Sequence, residues 1–378
     1  MQRISFLVFT VAALYVSSQA YATEATPAPA GKPAPHIALL LPLKSAVFGR
    51  AAEAVRQGFQ AAANSQPQSL PVRVYASEDE SADIITLYQQ AIASGARAVA
   101  GPLTRNGVAL LASYSGITAP TLALNSAEGN SANKLYFFGL TAEMEARQIA
   151  QLAASNGLRS ASIISNGTPL SKRLAQAFAE EWKLQGGHLT VEKLYQDDPA
   201  VLADLPLAQG NMVFLAADAE TAHLIRPYLN SALPVYATSQ VFNGNADTLT
   251  NFDLSDVRFI DMPWMLQPDH PAVMIYPHAN PPLEPNLERL YALGIDAYRL
   301  LQIMLGNSFR TSLPLDGVTG RIRLNAYQQF QREAIPALFW QGHGLTPEQI
   351  VAQEAALAAA KAAASGIPPA VAPSIPAQ

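Results

Sequence analysis

The stretch from His36 to Pro42 carries no polar interruption beyond its first residue. It breaks at the proline into a short polar loop, and apolar positions then return with helical spacing at Ala51, Val55, Phe59 and Ala62. An unbroken apolar run suits a strand buried on both faces of a parallel sheet. The loop after such a strand lies at its carboxyl end, where open α/β sheets bind their ligands. The same alternation predicts strands at 36–42, 71–76, 97–101, 119–124 and 135–138, with helices at 47–63, 82–94 and 105–113 between them. A second series follows: a helix at 142–156, strand 160–165, helix 169–186, strands 188–195 and 211–216, a helix capped by Asp218, and strands 233–237 and 257–261. Strands alternating with helices imply parallel strands joined by crossover helices.

The pattern changes after residue 265. Residues 266–286 are proline-rich and irregular, and Leu287 to Leu305 has the stripe of a long amphipathic helix. GRIRLN and ALFWQG read as the two arms of a β-hairpin. Thr346-Pro347-Glu348-Gln349 then forms a capping box that opens an alanine-rich helix running to about Ser365, where Gly366 ends it.

Residues 1–22 read as a secretory signal, with Arg3 as the positive end, Ile4 to Val16 as the apolar stretch and Ala20-Tyr21-Ala22 as the cleavage site. The apolar stretch is short for a membrane span, so a soluble periplasmic product starting near Thr23 is expected, an uncleaved anchor being the alternative. Thr23 to Pro35 is a Pro/Ala linker. The net charge of −5 gives no electrostatic footprint for nucleic acid. The chain has no cysteine, which rules out disulfides, thiolate catalysis and a lipid anchor on cysteine within these residues.

Catalytic signatures fail. Ser131-Ala132-Asn133-Lys134 fits S-x-x-K, but no K-[ST]-G accompanies it and its surroundings read as a polar loop, so it is taken as a chance match. There is no G-x-S-x-G and no Walker loop. The six histidines are dispersed, and His270 and His278, which share the proline-rich excursion, have no evident third ligand. No metal, cofactor or catalytic residue is expected.

Loops that follow strands are the better candidates. Lys44, Ser45 and Phe48 follow the first strand, Gly101, Pro102 and Leu103 the third, and Asn125 and Ser126 the fourth. Ser165 and Asn166, then Thr238, Ser239 and Gln240, hold equivalent places in the second series. Small hydroxyl and amide side chains suit a polar ligand in a cleft, and they equally suit helix caps and turns. Trp264, in the segment DMPW, is a further candidate, either coupling cleft to hinge or packing in the core.

The segments IALLLPL with AVRQGF, VAGPLTRNGV, PTLALN, FFGLTAEMEARQIA, RLAQAFAEEW, FLAADAETAHLIRPYLN, LPVYATSQVF, VRFIDMPW and RLYALGIDAYRL occur in order over residues 36–345. Together they resemble the LppC/LpoA family of penicillin-binding-protein activators, in its periplasmic-binding-like domain. The resemblance implies a type I periplasmic-binding-protein-like α/β fold, two doubly wound lobes joined by three crossovers. Lobes of 36–138 plus 268–312, and of 139–267 plus 313–345, are expected from it. It also implies a non-catalytic regulator whose partner is a class A penicillin-binding protein, a peptidoglycan synthase. A small-molecule cleft ligand is a second expected partner. The alternative is a solute-binding protein that delivers an amino acid, peptide or muropeptide to a transporter or sensor, with a hydrolase a distant third.

Overall fold

The computed structural model describes residues 33–126, 133–245, 248–306, 309 and 311–364. The expected signal segment, most of the Pro/Ala linker, Ser131 and the Pro-rich tail lie outside the described residues.

Every residue of β1 (His36–Leu41) is buried, as an unbroken apolar strand requires. His36 is tolerated there because Nε2 meets the Tyr75 hydroxyl at 2.9 Å and Nδ1 lies 3.0 Å from the Ala34 carbonyl. α1 (Gly49–Asn64) buries Ala52, Val55, Phe59 and Ala62. β2 (Val72–Ala76), α2 (Glu80–Ala93), β3 (Ala96–Ala100), α3 (Arg105–Ala112), β4 (Thr121–Ala123) and β5 (Leu135–Phe138) continue the alternation. These five strands run parallel in the order β5-β4-β3-β1-β2.

The chain then crosses to a second sheet. α4 (Ala142–Ser155), β6 (Ser160–Ser165), α5 (Pro169–Leu184), β7 (His188–Leu194), β8 (Asn211–Ala216), α6 (Ala219–Ile225), β9 (Val235–Ala237) and β10 (Val257–Asp261) follow. Here too the strands are parallel, in the order β10-β9-β8-β6-β7. One face of this sheet is covered by Trp182 and Phe178, the latter stacked on Phe214 at 4.1 Å.

A second crossing, through α7 (Pro263–Leu266), brings α8 (Pro285–Leu305) back onto the first sheet. Its backbone lies against that of α1: a Cβ on Gly58 would stand 1.8 Å from the Tyr291 carbonyl oxygen, and one on Gly294 2.1 Å from that of Val55. β11 (Leu315–Gly317), β12 (Gly320–Leu324) and β13 (Gln329–Glu333) extend the first sheet, β13 pairing parallel with β5. After a third crossing at Ala334, β14 (Ile335–Trp340) pairs antiparallel with β10, and β15 (His343–Leu345) with β14. α9 (Pro347–Ala364) follows.

Two expectations are corrected by this topology. Residues 315–333 belong to the first sheet, not to the lobe of 139–267, because Ile322 and Phe330 are buried in the core beneath α8. GRIRL and ALFW are not arms of one hairpin: β12 pairs with β13 and β14 with β10, in different sheets. Both stretches alternate with period two, and that periodicity does not name the partner strand.

Candidate functional site

Between the two sheets the crossings are held by buried charge. Asp261, fully buried at the end of β10, accepts from Arg289 Nη2 at 2.6 Å and from its Nε at 3.1 Å. The same guanidinium donates to the carbonyls of Ser239 (3.0 Å) and Phe242 (2.7 Å) and to Asn286 Oδ1 (3.0 Å). Burial alone would push Arg289 down, and Asp261 more than offsets this, holding the guanidinium above its ordinary range. Glu145 on α4 takes the Ser239 amide (3.1 Å) and hydroxyl (2.6 Å) on one oxygen and Arg332 of β13 on the other. Asp296 receives the Val318 and Thr319 amides at 3.1 and 2.8 Å and the Thr319 hydroxyl at 2.7 Å. Asp261 and Glu145 therefore join elements separated by a crossing, whereas Asp296 ties α8 to the turn between β11 and β12 within the first lobe.

Beside Glu145 and Arg289 lies a cavity of about 300 Å³, lined from both lobes by Arg105, Asn125, Glu143, Arg173, Ser239 and Gln240 among others. Arg105 Nη2 and Arg173 Nε meet on a single oxygen of Glu143, Oε1, at 2.8 and 2.9 Å. Burial raises the Glu143 carboxyl, and the hydrogen bond to Arg105, with the charges of Arg105 and Arg173, brings it below the usual carboxylate range. A second cavity of about 720 Å³ adjoins on the first lobe. Its walls include Ser45, Val47, Phe48, Ala51 and Leu103, and it shares Arg105, Asn125 and Leu290 with the first.

The loop after β3 is shaped from beneath. Glu80, 1% exposed, accepts the Leu103 amide at 3.0 Å and the Thr104 amide at 2.7 Å, and burial pushes its carboxyl up. Gly101 is required there, since its φ is +100° and a Cβ would stand 1.9 Å from the Leu40 carbonyl oxygen.

Of the residues singled out from the sequence, Ser45, Phe48, Leu103, Asn125, Ser239 and Gln240 line one or both cavities. Lys44, Gly101, Pro102, Ser126, Ser165, Asn166, Thr238 and Trp264 line neither. Asn166 acts as a turn residue, accepting the Thr168 amide and donating to Thr221. Trp264 sits in the second crossing: its Nε1 donates to Glu288 at 2.8 Å, and its ring packs on His278 and Tyr291. Lys134, the last residue of S-x-x-K, gives its Nζ to the Thr118 carbonyl at 2.9 Å. His270 approaches Asp316 and His278 approaches Glu288, each at 3.7 Å. Among the described residues no group of three His, Asp or Glu side chains is placed to hold a metal ion, and no helix is long and apolar enough to cross a membrane.

Glu143, Glu145, Arg173, Asp261, Arg289 and Arg332 were not anticipated, whereas Arg105, which ends the candidate loop that begins at Gly101, lines both cavities. The signal for two of them was present. Asp261 ends a buried strand on a charge, and Arg289 lies seven residues before Asp296, on the same side of a helix whose other buried residues carry no charge.

A family model described as "LppC putative lipoprotein" matches residues 30–211 and 208–344. Among curated relatives, the penicillin-binding protein activator LpoA of Edwardsiella piscicida is 28% identical over 325 residues, 74% of this chain and 46% of that one. LpoA of Vibrio cholerae is 26% identical over 357 residues, 82% of this chain and 57% of that one. The chain thus spans about half the length of the curated relatives it matches. Among solved structures, a "putative branched-chain amino acid ABC transporter" from Chromobacterium violaceum is 37% identical with a TM-score of 0.69, covering 81% of this chain and 99% of that one. Full-length LpoA of Haemophilus influenzae is 22% identical with a TM-score of 0.70, covering 83% and 59%. The LpoA C-domain from the same organism is 23% identical with a TM-score of 0.69, covering 82% and 99%. These likenesses make the fold type I periplasmic-binding-protein-like. Since the family model runs from before β1 to within one residue of the end of β15, this chain belongs to the LppC family.

Proposed function

We propose that this chain is a non-catalytic periplasmic activator of a class A penicillin-binding protein, acting on peptidoglycan synthesis through its surface. The observation that carries the reading is the family match over the whole two-lobed unit, together with relatives named penicillin-binding protein activators. The geometry supports it. The buried carboxylates at the crossings are committed to holding one lobe on the other, which suits a body that presents a fixed surface to a partner. The test is a reconstituted glycan-polymerisation and crosslinking assay with the class A synthases of the source organism. Stimulation is expected, and Ser131→Ala should leave it unchanged. No stimulation of any synthase sinks the proposal. Export belongs to the same reading: N-terminal sequencing of periplasmic protein should start near Thr23, and an intact N-terminus in the inner membrane would contradict it.

A second reading has its own support. The Chromobacterium violaceum protein is more similar in sequence than the activators, and the cleft contains connected cavities. On this reading the chain binds a small solute for a transporter or sensor. Micromolar binding of such a solute, with no effect on any synthase, would favour it.

A further inference from the structure

The two faces of the second sheet are covered unequally. Along β8, Met212 and Phe214 point to one face and Val213 and Leu215 to the other. The first face lies under two full-length helices, α4 and α5. The second lies under short pieces: α6, of seven residues, and single 3₁₀ turns at Pro199–Leu202, Arg226–Tyr228 and Phe252–Leu254. Such pieces bury their inward residues and leave large apolar side chains facing water. Leu207, Leu224, Tyr228, Leu249 and Phe252 are between 49% and 81% exposed. These five are neighbours. Leu249 and Phe252 share a turn, the Phe252 amide donating to the Leu249 carbonyl at 3.4 Å. That turn is tied to α6, which carries Leu224, by His223 Nδ1 at 2.7 Å from Asp253 Oδ1. Arg226, in the turn that carries Tyr228, donates to the Ser255 carbonyl at 3.0 Å. Tyr228 and Leu207 wall one cavity of about 280 Å³ with Leu202, Leu229 and Leu233.

The charge around them has one sign. Residues 195–256 hold eight Asp or Glu against a single Arg and no Lys, in a chain whose net charge is −5. Asp204, Glu220, Asp253 and Asp256 stand exposed among the apolar five, Glu220 one helical turn from Leu224 and Asp253 next to Phe252. The one arginine, Arg226, is spent on backbone carbonyls. An apolar patch with a socket and a charged rim has the anatomy of a protein interface. Its charge chooses the occupant. Anionic lipid headgroups and nucleic acid are repelled, and a second copy docking face to face would set acid against acid. We infer that this face docks a partner protein that presents a large apolar side chain among lysines and arginines. The apolar anchor enters the socket between Leu207 and Tyr228, and the basic surround meets Asp204 and Glu220. The inference rests on the activator reading, under which that partner is the class A synthase.

The test measures binding of the full chain to the class A synthases of the source organism and, in parallel, their stimulation. Tyr228→Ala and Leu249→Ser should each weaken binding by at least about tenfold, the scale of an interface hot spot. Asp204→Lys combined with Glu220→Lys should slow association by about tenfold at low salt, and by less as salt rises. Leu184→Ser is the control: its side chain is as exposed as Leu249 but ends α5 on the opposite face, and binding should not change. All variants should melt with the wild type; if Tyr228→Ala does not, Leu249→Ser and the charge pair decide. Variants that bind and stimulate as the wild type does, or an equal loss from Leu184→Ser, remove this inference and leave the activator reading standing. Binding that the variants lose, with no stimulation by the wild type, removes the activator reading alone. A wild type that neither binds nor stimulates any synthase removes both. A free chain that sediments as a dimer, dissolved by Leu249→Ser while synthase binding stays intact, would make the occupant a second copy and overturn the inference.

Discussion

Asp261 and Arg289 form an ion pair at 2.6 Å with side chains 0% and 6% exposed, tying the last parallel strand of the second sheet to the long helix on the first. The pair lies where the chain passes between lobes, and the guanidinium also takes up two carbonyls from the turn after β9. A buried pair of this kind adds little over an apolar substitute, but removing one partner strands a charge.

Asp261→Asn and Arg289→Ala should each destabilise the fold by about 3–5 kcal/mol, lowering the melting temperature on the order of 10 °C. The double replacement should cost less than the sum of the two, since each single change leaves the other charge unpaired. Thermal denaturation of the three variants checks this, and simple additivity would show that the pair is not coupled.

Gly294→Ala should destabilise the protein even though alanine is the better helix former by about 1 kcal/mol. The added methyl would meet the Val55 carbonyl oxygen at 2.1 Å, and relieving it requires α8 to move off α1. Overpacking costs about 1–3 kcal/mol. A melting temperature equal to or above that of the wild type would refute the close contact.

Acid should weaken the bridge across the cleft mouth. The folded-state carboxyl of Glu143 lies below its ordinary value. Its contribution is therefore fully present above the unfolded value of about 4.3 and is lost as pH falls through the folded one. Glu80 runs the other way: its carboxyl is raised by burial, so stability falls as pH rises from about 4.3 through the raised value. The melting-temperature gap between wild type and Glu143→Gln should stay constant near neutrality and close below about pH 4. A gap independent of pH would remove Glu143 as its source.

Truncation after Ile350 should leave the melting temperature within about 2 °C. Residues 351–361 of α9 are all exposed, while Thr346 and Gln349 close the capping box and Gln349 donates to the Leu266 carbonyl at 2.8 Å. Cutting after Leu345 removes those contacts as well and should cost more. A large loss on the shorter truncation would mean that the alanine-rich helix docks.

The sequence carried the elements more plainly than their partnership. Unbroken runs such as Ile37–Leu41 and Met212–Ala216 announce buried parallel strands, and Thr168-Pro169 and Asp218 mark helix starts that the structure caps as expected. Strand pairing after residue 313 was not legible, because Ile322 and Phe330 pack on α8 through contacts that no local pattern encodes. The cleft was half legible. Ser239 and Asn125 follow from strand-end position, whereas Glu143 and Arg173 sit on two helices of one lobe, and only Arg105 reaching across from the other lobe makes their pair part of the cleft.

Ala334 is the single residue between β13 in one sheet and β14 in the other, and the side-chain amide of Gln148 grips both of its peptide groups, at 3.0 Å on the nitrogen and 2.7 Å on the oxygen. A one-residue joint has no slack. Turning one lobe against the other would strain both hydrogen bonds from Gln148, which stands on the same helix as Glu143. A partner that grasps the outer surface near this joint would have a lever on the cleft without ever entering it.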